Sequence, residues 1–200
     1  MPGIKPAALK TLNQPPYNFP KPSLLPQNAC KMRGMDAYLA IFEGLKAART
    51  GDMLKQHGLM IKTGTGLGAA ILKLLKPAWT TDGPAEILNS NGLFFGVWVD
   101  AACVAQGRAR FNVHAKKLRL VKGEAFAARE FARAFRIEAN EALKAWPNCS
   151  YPKGPITLFE GHFALDPATL AAETTRLMDR FAALTPMLDR MISSPAKPLD

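Results

Sequence analysis

The amino-acid sequence predicts an α+β domain: an antiparallel sheet of about four strands, a meander plus one, with helices packed mainly on one face. Three observations carry that prediction. Asn91-Gly92 is the strongest short-range hairpin signal, and it sits between Glu86-Ile87-Leu88 and the run Leu93-Phe94-Phe95-Gly96-Val97-Trp98-Val99. Gln106-Gly107 then divides that run from a third strand-like stretch, 109–121, for which a helix is the alternative because Phe111, Ala115 and Leu118 also fit that period. Residues 124–146 hold neither Gly nor Pro and repeat their apolar side chains at helical spacing.

Taken in order, residues 1–33 read as a basic, extended arm. Pro2, Pro6, Pro15, Pro16, Pro20, Pro22 and Pro26 remove amide donors and fix φ, which excludes a long helix or a central strand. No PxxP spacing occurs within the arm, so an SH3-type ligand there is unsupported. Tyr17, Phe19, Leu24 and Leu25 are apolar enough to dock on the body or on a second subunit, which makes the arm a candidate homo-oligomer contact. The single domain spans 34–193. Asp36 is a cap for a first helix carrying Tyr38, Leu39, Ile41, Phe42, Leu45 and Ala48, with Gly51 as its stop. Asp52 starts a turn ending at Gly58, Leu59–Ile61 is a short apolar run, and Ala69–Leu75 reads as a helix stopping before Pro77.

In 124–146, Ala128, Phe131, Phe135, Ala139, Ala142 and Trp146 share one face. Arg129, Arg133, Arg136, Asn140 and Lys144 form a stripe opposite, and Pro147 closes the helix. Ile156–Ala164 reads as the last strand. Asp166-Pro167 then opens a C-terminal helix that Thr185-Pro186 restarts as a second segment. Residues 194–200 are a loose tail. The expected core is Phe94, Val97, Val99, Phe111, Phe131, Phe135, Phe159, Phe163, Leu177 and Phe181.

Two hundred residues are enough for a core without staples. Cys30, Cys103 and Cys149 are odd in number, far apart and form no CxxC, which points to reduced thiols and a cytoplasmic protein. Cys103 is expected in a strand as a small buried hydrophobe. The N-terminus has no apolar stretch of signal-peptide type, and no apolar run approaches the roughly 20 residues of a membrane span. The net charge of +10 is lopsided. Residues 1–76 hold 11 Lys or Arg against Asp36, Glu43 and Asp52, whereas the rest of the chain is nearly balanced. Such asymmetry points to anionic partners: nucleic acid, phosphorylated ligands or acidic lipid surfaces.

Three groups of residues carry candidate chemistry. The stripe Arg129, Arg133, Arg136 and Lys144, with the basic arm, suits phosphate contacts. Asp100, His114, Glu160 and His162 fall on strand faces where a carboxylate could tune an imidazole as a general base, or where two His and two carboxylates could hold a metal. Gly64, Gly66 and Gly68 lie in a G-x-G-x-x-A string of the kind that lets a backbone approach a pyrophosphate, but the acid expected about 20 residues on is missing and Asp82 stands in an Asp-Gly turn. HExxH, Gly-x-Ser-x-Gly and a Walker lysine are absent, and no cofactor follows from these signals. The leading expectation is a binding module for an anionic partner. The alternative is a small enzyme or metal-binding protein with its site on the sheet.

Overall fold

The computed structural model describes residues 27–49, 52–81, 91–123, 126–152 and 154–193. Two helices, α1 (Gln27–Ala48) and α2 (Asp52–Gln56), lead into strands β1 (Met60–Gly66), β2 (Ala69–Thr80) and β3 (Gly92–Val99). A short helix α3 (Ala101–Gln106) joins β3 to β4 (Arg108–Lys116). Then follow α4 (Leu118–Lys122), α5 (Ala128–Glu138), α6 (Asn140–Leu143), β5 (Thr157–Ala164) and the long α7 (Leu170–Ser193). The fold is α+β, with one antiparallel sheet in the order β1-β2-β3-β4-β5. It has five strands rather than about four.

Two of the five, β1 and β2, were not expected as strands, and β2 overturns a reading. Ala69–Leu75, expected as a helix, lies in β2 and pairs with β1 from Gly66↔Ala69 to Met60↔Leu75. A continuous apolar run does not distinguish a buried helix from a strand buried on both faces, and Ala69–Leu75 is buried throughout. The deciding feature is the turn. Leu67 (φ 53°) and Gly68 (φ 75°) both take left-handed backbone, the two-residue hairpin geometry that matches strand twist. Pro77 is tolerated because it falls where the β2–β3 register shifts, between Leu75 and Thr80.

Asn91-Gly92 does sit at the entry to β3, but its partner strand is β2, through Thr80↔Gly92. The expected strand Glu86–Leu88 lies outside the described residues, as do the arm over 1–26, Gly51, Asp82 and the tail. The helix placed after the arm begins at Gln27, so Asp36 is internal rather than a cap; no Gly or Pro occurs in 27–33 to stop it. The β3–β4 connection is a helix: Asp100 caps α3 by accepting from Cys103 N at 2.8 Å, and Gly107 (φ 62°) closes it. Cys103 is therefore helical, not in a strand, although it is buried as expected. β4 stops at Lys116, because Lys117 (φ 51°) turns the chain into α4.

Helix 124–146 is interrupted at Ala139. The interruption changes the phase, so Leu143 enters the core in place of the expected Ala142. Conversely, α7 runs unbroken through Pro186, which is exposed.

All ten expected core residues are buried. Nine of them belong to one cluster under the helices, with Phe42 of α1 and Trp146. Its aromatic centre stacks Phe95 on Phe181 (5.5 Å) and Phe135 on Phe159 (6.0 Å), with Trp146 edge-on to Phe159 at 5.0 Å. Phe94, the tenth, points to the opposite face. α7 is tied down at several points. Asp179 pairs with Arg49, and Asp189 takes Lys76 Nζ at 2.7 Å and Trp79 Nε1 at 2.9 Å. Arg190 pairs with Glu138 of α5.

Two glycines are places where the chain passes too closely for a side chain. A Cβ on Gly161 would overlap the Phe111 ring and the Pro147 carbonyl, and one on Gly92 would overlap the Trp79 carbonyl at φ 123°. Gly161→Ala should lower stability by about 1–3 kcal/mol, as overpacking does, read as a lower urea midpoint at unchanged m. Gly92→Ala should cost more, because its obstacle is backbone and its φ is wrong for an L-residue. A Gly92→Ala midpoint equal to wild type would contradict this packing.

Candidate functional site on the second face of the sheet

Strand register divides the side chains into two sets. Leu72, Val97, Phe111 and Gly161 lie in one cross-strand row on the helix-covered face, next to the row Leu74, Phe95, Val113 and Phe159. The second face has the row Lys62, Lys73, Gly96, Asn112 and Glu160. Beside it run Ile71, Trp98, Arg110 and His162 on one side, and Leu75, Phe94 and His114 on the other.

This second face is unusual in how deeply it buries a charge. Lys73 is 1% exposed, and its Nζ lies 4.2 Å from the Phe94 ring centroid and 6.0 Å from that of Trp98, within cation–π range of the nearer ring. His114 packs against both rings, at 5.4 Å from Phe94 and 6.2 Å from Trp98. Burial, helped by the charges of Lys73 and Lys116, pushes the His114 imidazole down to about 4, so it is neutral at pH 7. Trp98 Nε1 and Asn112 Oδ1 are buried and have no hydrogen-bond partner among the described residues.

The expected acid–imidazole group reaches this face in separated pieces. Asp100 is committed: it caps α3 and pairs with Arg110. Burial works against its charge, but the Cys103 amide and the Arg110 guanidinium outweigh that and hold its carboxyl below the usual value. Glu160 is exposed on the outermost strand, and its main chain exchanges hydrogen bonds with Ser150. His162 stands opposite Arg110, four residues from His114 along the ladder, which is about 13 Å at roughly 3.3 Å per residue. Among the described residues no three His, Cys, Asp or Glu side chains are placed to hold a metal ion. Cys149 is half-buried, and burial pushes its thiol up to about 11.

Gly64, Gly66 and Gly68 belong to β1 and its hairpin turn. The segment after them is strand β2, so the helix N-terminus that receives a pyrophosphate in the dinucleotide fingerprint does not follow them.

The arginine stripe divides into two kinds of residue. Arg136 is structural: its guanidinium donates to the carbonyls of Leu158 (3.1 Å), Pro152 (2.9 Å), Gly154 (2.6 Å) and Thr157 (2.9 Å), closing the loop before β5. Lys144 is held by Glu141 at 2.6 Å. Arg129 and Arg133 are exposed, and neither has an ion pair or hydrogen bond among the described residues.

Sequence reasoning passed over Lys73, Gly96, Trp98 and Asn112 as site residues. The signal was present in two places. A glycine inside an aromatic strand marks a close approach, and a lysine inside an apolar run marks a register position. Among the described residues no helix is long and apolar enough to cross a membrane. Comparison with protein-family models, curated proteins and solved structures finds no match.

Two outcomes follow from this geometry. Arg136→Ala should lower stability by about 2 kcal/mol, because several charged hydrogen bonds to carbonyls, most of them part-buried, are lost, while Arg133→Ala should stay within about 0.5 kcal/mol of wild type; thermal unfolding at one pH compares them. For His114 the folded value lies below the unfolded one. Its neutral form therefore contributes stability fully above about pH 6.5, and that contribution is lost as pH falls toward 4. Wild type should lose up to about 3 kcal/mol relative to His114→Gln across that window, and parallel curves for the two proteins would refute it.

Proposed function

We propose that this protein is a binding module for a polyanion, nucleic acid in the first instance, held by Lys116, Lys117, Lys122, Arg129 and Arg133. One observation carries this reading. Seven ion pairs are formed by the described residues, and they engage Glu43, Asp100, Glu138, Glu141, Glu173, Asp179 and Asp189 with basic partners elsewhere. The stretch from Lys116 to Arg133 takes part in none of them.

The five cations are close along the chain. Lys117 and Lys122 bracket α4, and Arg129 and Arg133 lie one turn apart on α5. Arg119 Nε donates to the Phe126 carbonyl at 3.2 Å and so ties α4 to the approach of α5. Glu130 and Glu124 are the acids of the same stretch. Cations that satisfy no internal acid remain available to phosphate, and phosphate contacts dominate non-specific affinity. The basic arm adds charge of the same sign. Arg136 and Lys144, parts of the stripe as first drawn, are engaged internally and are left out of this surface.

The alternative, an enzyme or metal site on Asp100, His114, Glu160 and His162, gains no comparable support. Asp100 is already paired, and the two imidazoles stand apart.

Fluorescence anisotropy with a labelled single-stranded 20-mer DNA and a duplex of the same sequence tests the proposal. The logarithm of affinity should fall linearly with the logarithm of salt. Arg129→Glu with Arg133→Glu should weaken binding about tenfold or more and flatten the salt slope by roughly 1–2, as about two phosphate contacts are lost. Arg176→Glu, on the opposite side of the charge inventory, should leave the slope unchanged. Absence of binding to either DNA at 50 mM salt, or to a matching RNA, would end this reading.

A further inference from the structure

The sheet ends in two outer strands, β1 and β5, and among the described residues only the β5 edge is covered. Along β5, Ser150 exchanges main-chain hydrogen bonds with Glu160 at 2.7 and 3.0 Å. Asn148 Nδ2 donates to the His162 carbonyl at 3.1 Å, and Arg136 Nε donates to the Leu158 carbonyl at 3.1 Å. The β1 edge has nothing comparable among the described residues. Leu67 and Gly68 form a two-residue turn, so Gly66 and Ala69 exchange both of their hydrogen bonds. Alternation turns the N–H and C=O of Gly64, Lys62 and Met60 toward β2 as well, and those of Ile61, Thr63 and Thr65 away from it. No other backbone hydrogen bond reaches Ile61, Thr63 or Thr65 among the described residues.

An unpaired strand edge is a template for another chain, and proteins usually blunt it with proline, charge or a bulge. β1 has no proline, pairs with β2 without a register shift, and carries one charged side chain, Lys62. Its own sequence is a fitting partner. With a dyad at Thr63, antiparallel pairing of two β1 strands sets Thr63 opposite Thr63, and Ile61 opposite Thr65 on either side, all at hydrogen-bonded positions. Lys62 then falls opposite Gly64 of the second copy rather than opposite another lysine, and β-branched side chains meet in pairs. The layer above agrees. The Thr63 hydroxyl lies between Glu43 and Lys46, accepting from the ammonium and donating to the carboxylate. The same dyad brings Glu43 of one copy beside Lys46 of the other. α1 rests on β1 and β2 together, so its axis falls about half a strand spacing inside β1. Two α1 helices then stand about 9–10 Å apart, a normal distance for packed helices.

We infer that the β1 edge is a homodimer interface: two copies join antiparallel through residues 61–65 about a dyad at Thr63, and the sheet runs on through both. Each outward N–H and C=O of Ile61, Thr63 and Thr65 gains a partner on the second copy. Each Glu43 carboxylate then lies between its own Lys46 and that of the second copy. This inference goes beyond the polyanion reading, since it needs no phosphate and uses none of the five surface cations that reading rests on.

Sedimentation velocity on the full chain, without nucleic acid, is the test. At about 100 μM, which detects micromolar association, a species of twice the 21.8 kDa chain mass is expected, and it should dissociate on dilution. Thr63→Pro removes an outward N–H and leaves the β1–β2 ladder intact, so it should weaken association about tenfold or more in a folded chain. If that variant does not fold, Thr65→Pro, at an exposed position of the same outward set, serves instead. Glu43→Lys puts like charges across the dyad and should also weaken the dimer, and adding Lys46→Glu should restore it. A chain that stays monomeric at about 100 μM, a dimer of unchanged strength in the folded proline variant, or no recovery in the charge-swapped chain would overturn the inference. A dimer held by the N-terminal arm or by another face would show that unchanged strength.

Discussion

Burial of both faces of β2 and β3 is the constraint on which the rest of the molecule depends. Ile71 and Leu72 are adjacent in sequence, point to opposite faces, and are both fully buried. Each such side chain contributes about 1.5–3 kcal/mol over its exposed state. A slip of one residue would reverse every side chain of a strand. In β2 it would push Lys73 among Phe95 and Phe181 and away from the Phe94 ring. The ammonium therefore opposes the wrong register as firmly as the leucines favour the right one. From this pairing follow the position of Phe111 above Gly161 and the platform that receives α1, α5 and α7.

The same alternation that builds the core on one side builds a mixed surface on the other. β4 alternates Ala109, Phe111, Val113 and Ala115 with Arg110, Asn112, His114 and Lys116. The polar set does not simply face water. His114 is desolvated enough to lose its charge at neutral pH, and Trp98 and Asn112 bury polar atoms beside Gly96. Partial burial of such groups sets this face apart from an ordinary solvated sheet surface, where polar atoms reach water.

Charge is distributed with a similar division of labour. The excess of +10 is not spread evenly over the exterior. Arg49, Lys76 and Arg190 anchor α7 through Asp179, Asp189 and Glu138, and Arg136 and Arg180 close chain turns by donating to carbonyls. These contacts fasten elements far apart in sequence, which packing of apolar faces alone aligns less specifically. The basic side chains that remain outside such contacts between Lys116 and Arg133 are a product of this allocation, and the raw charge count does not reveal them.

Much of the fold was legible in the chain. The aromatic and β-branched run 93–99, the alternation in 109–116, the turn signals at Asn91-Gly92 and Gln106-Gly107, and the apolar stripe of 128–139 are local patterns, and local patterns survive folding when the core agrees with them. They determined the α+β class, the antiparallel meander and six of the ten core residues, while the strand-like run 156–164 and the C-terminal helical pattern supplied Phe159, Phe163, Leu177 and Phe181. Whether Ala69–Leu75 is helix or strand was not legible, because a run buried on both sides has no period to read. The separation of His114 from His162 was equally hidden, since shared faces say nothing of distance along the ladder. Tertiary structure alone decided which arginines are spent on carbonyls and which side chains surround Gly96. Those outcomes depend on the register between strands and on the docking of helices from distant parts of the chain, and neither is encoded in the spacing of residues within one segment.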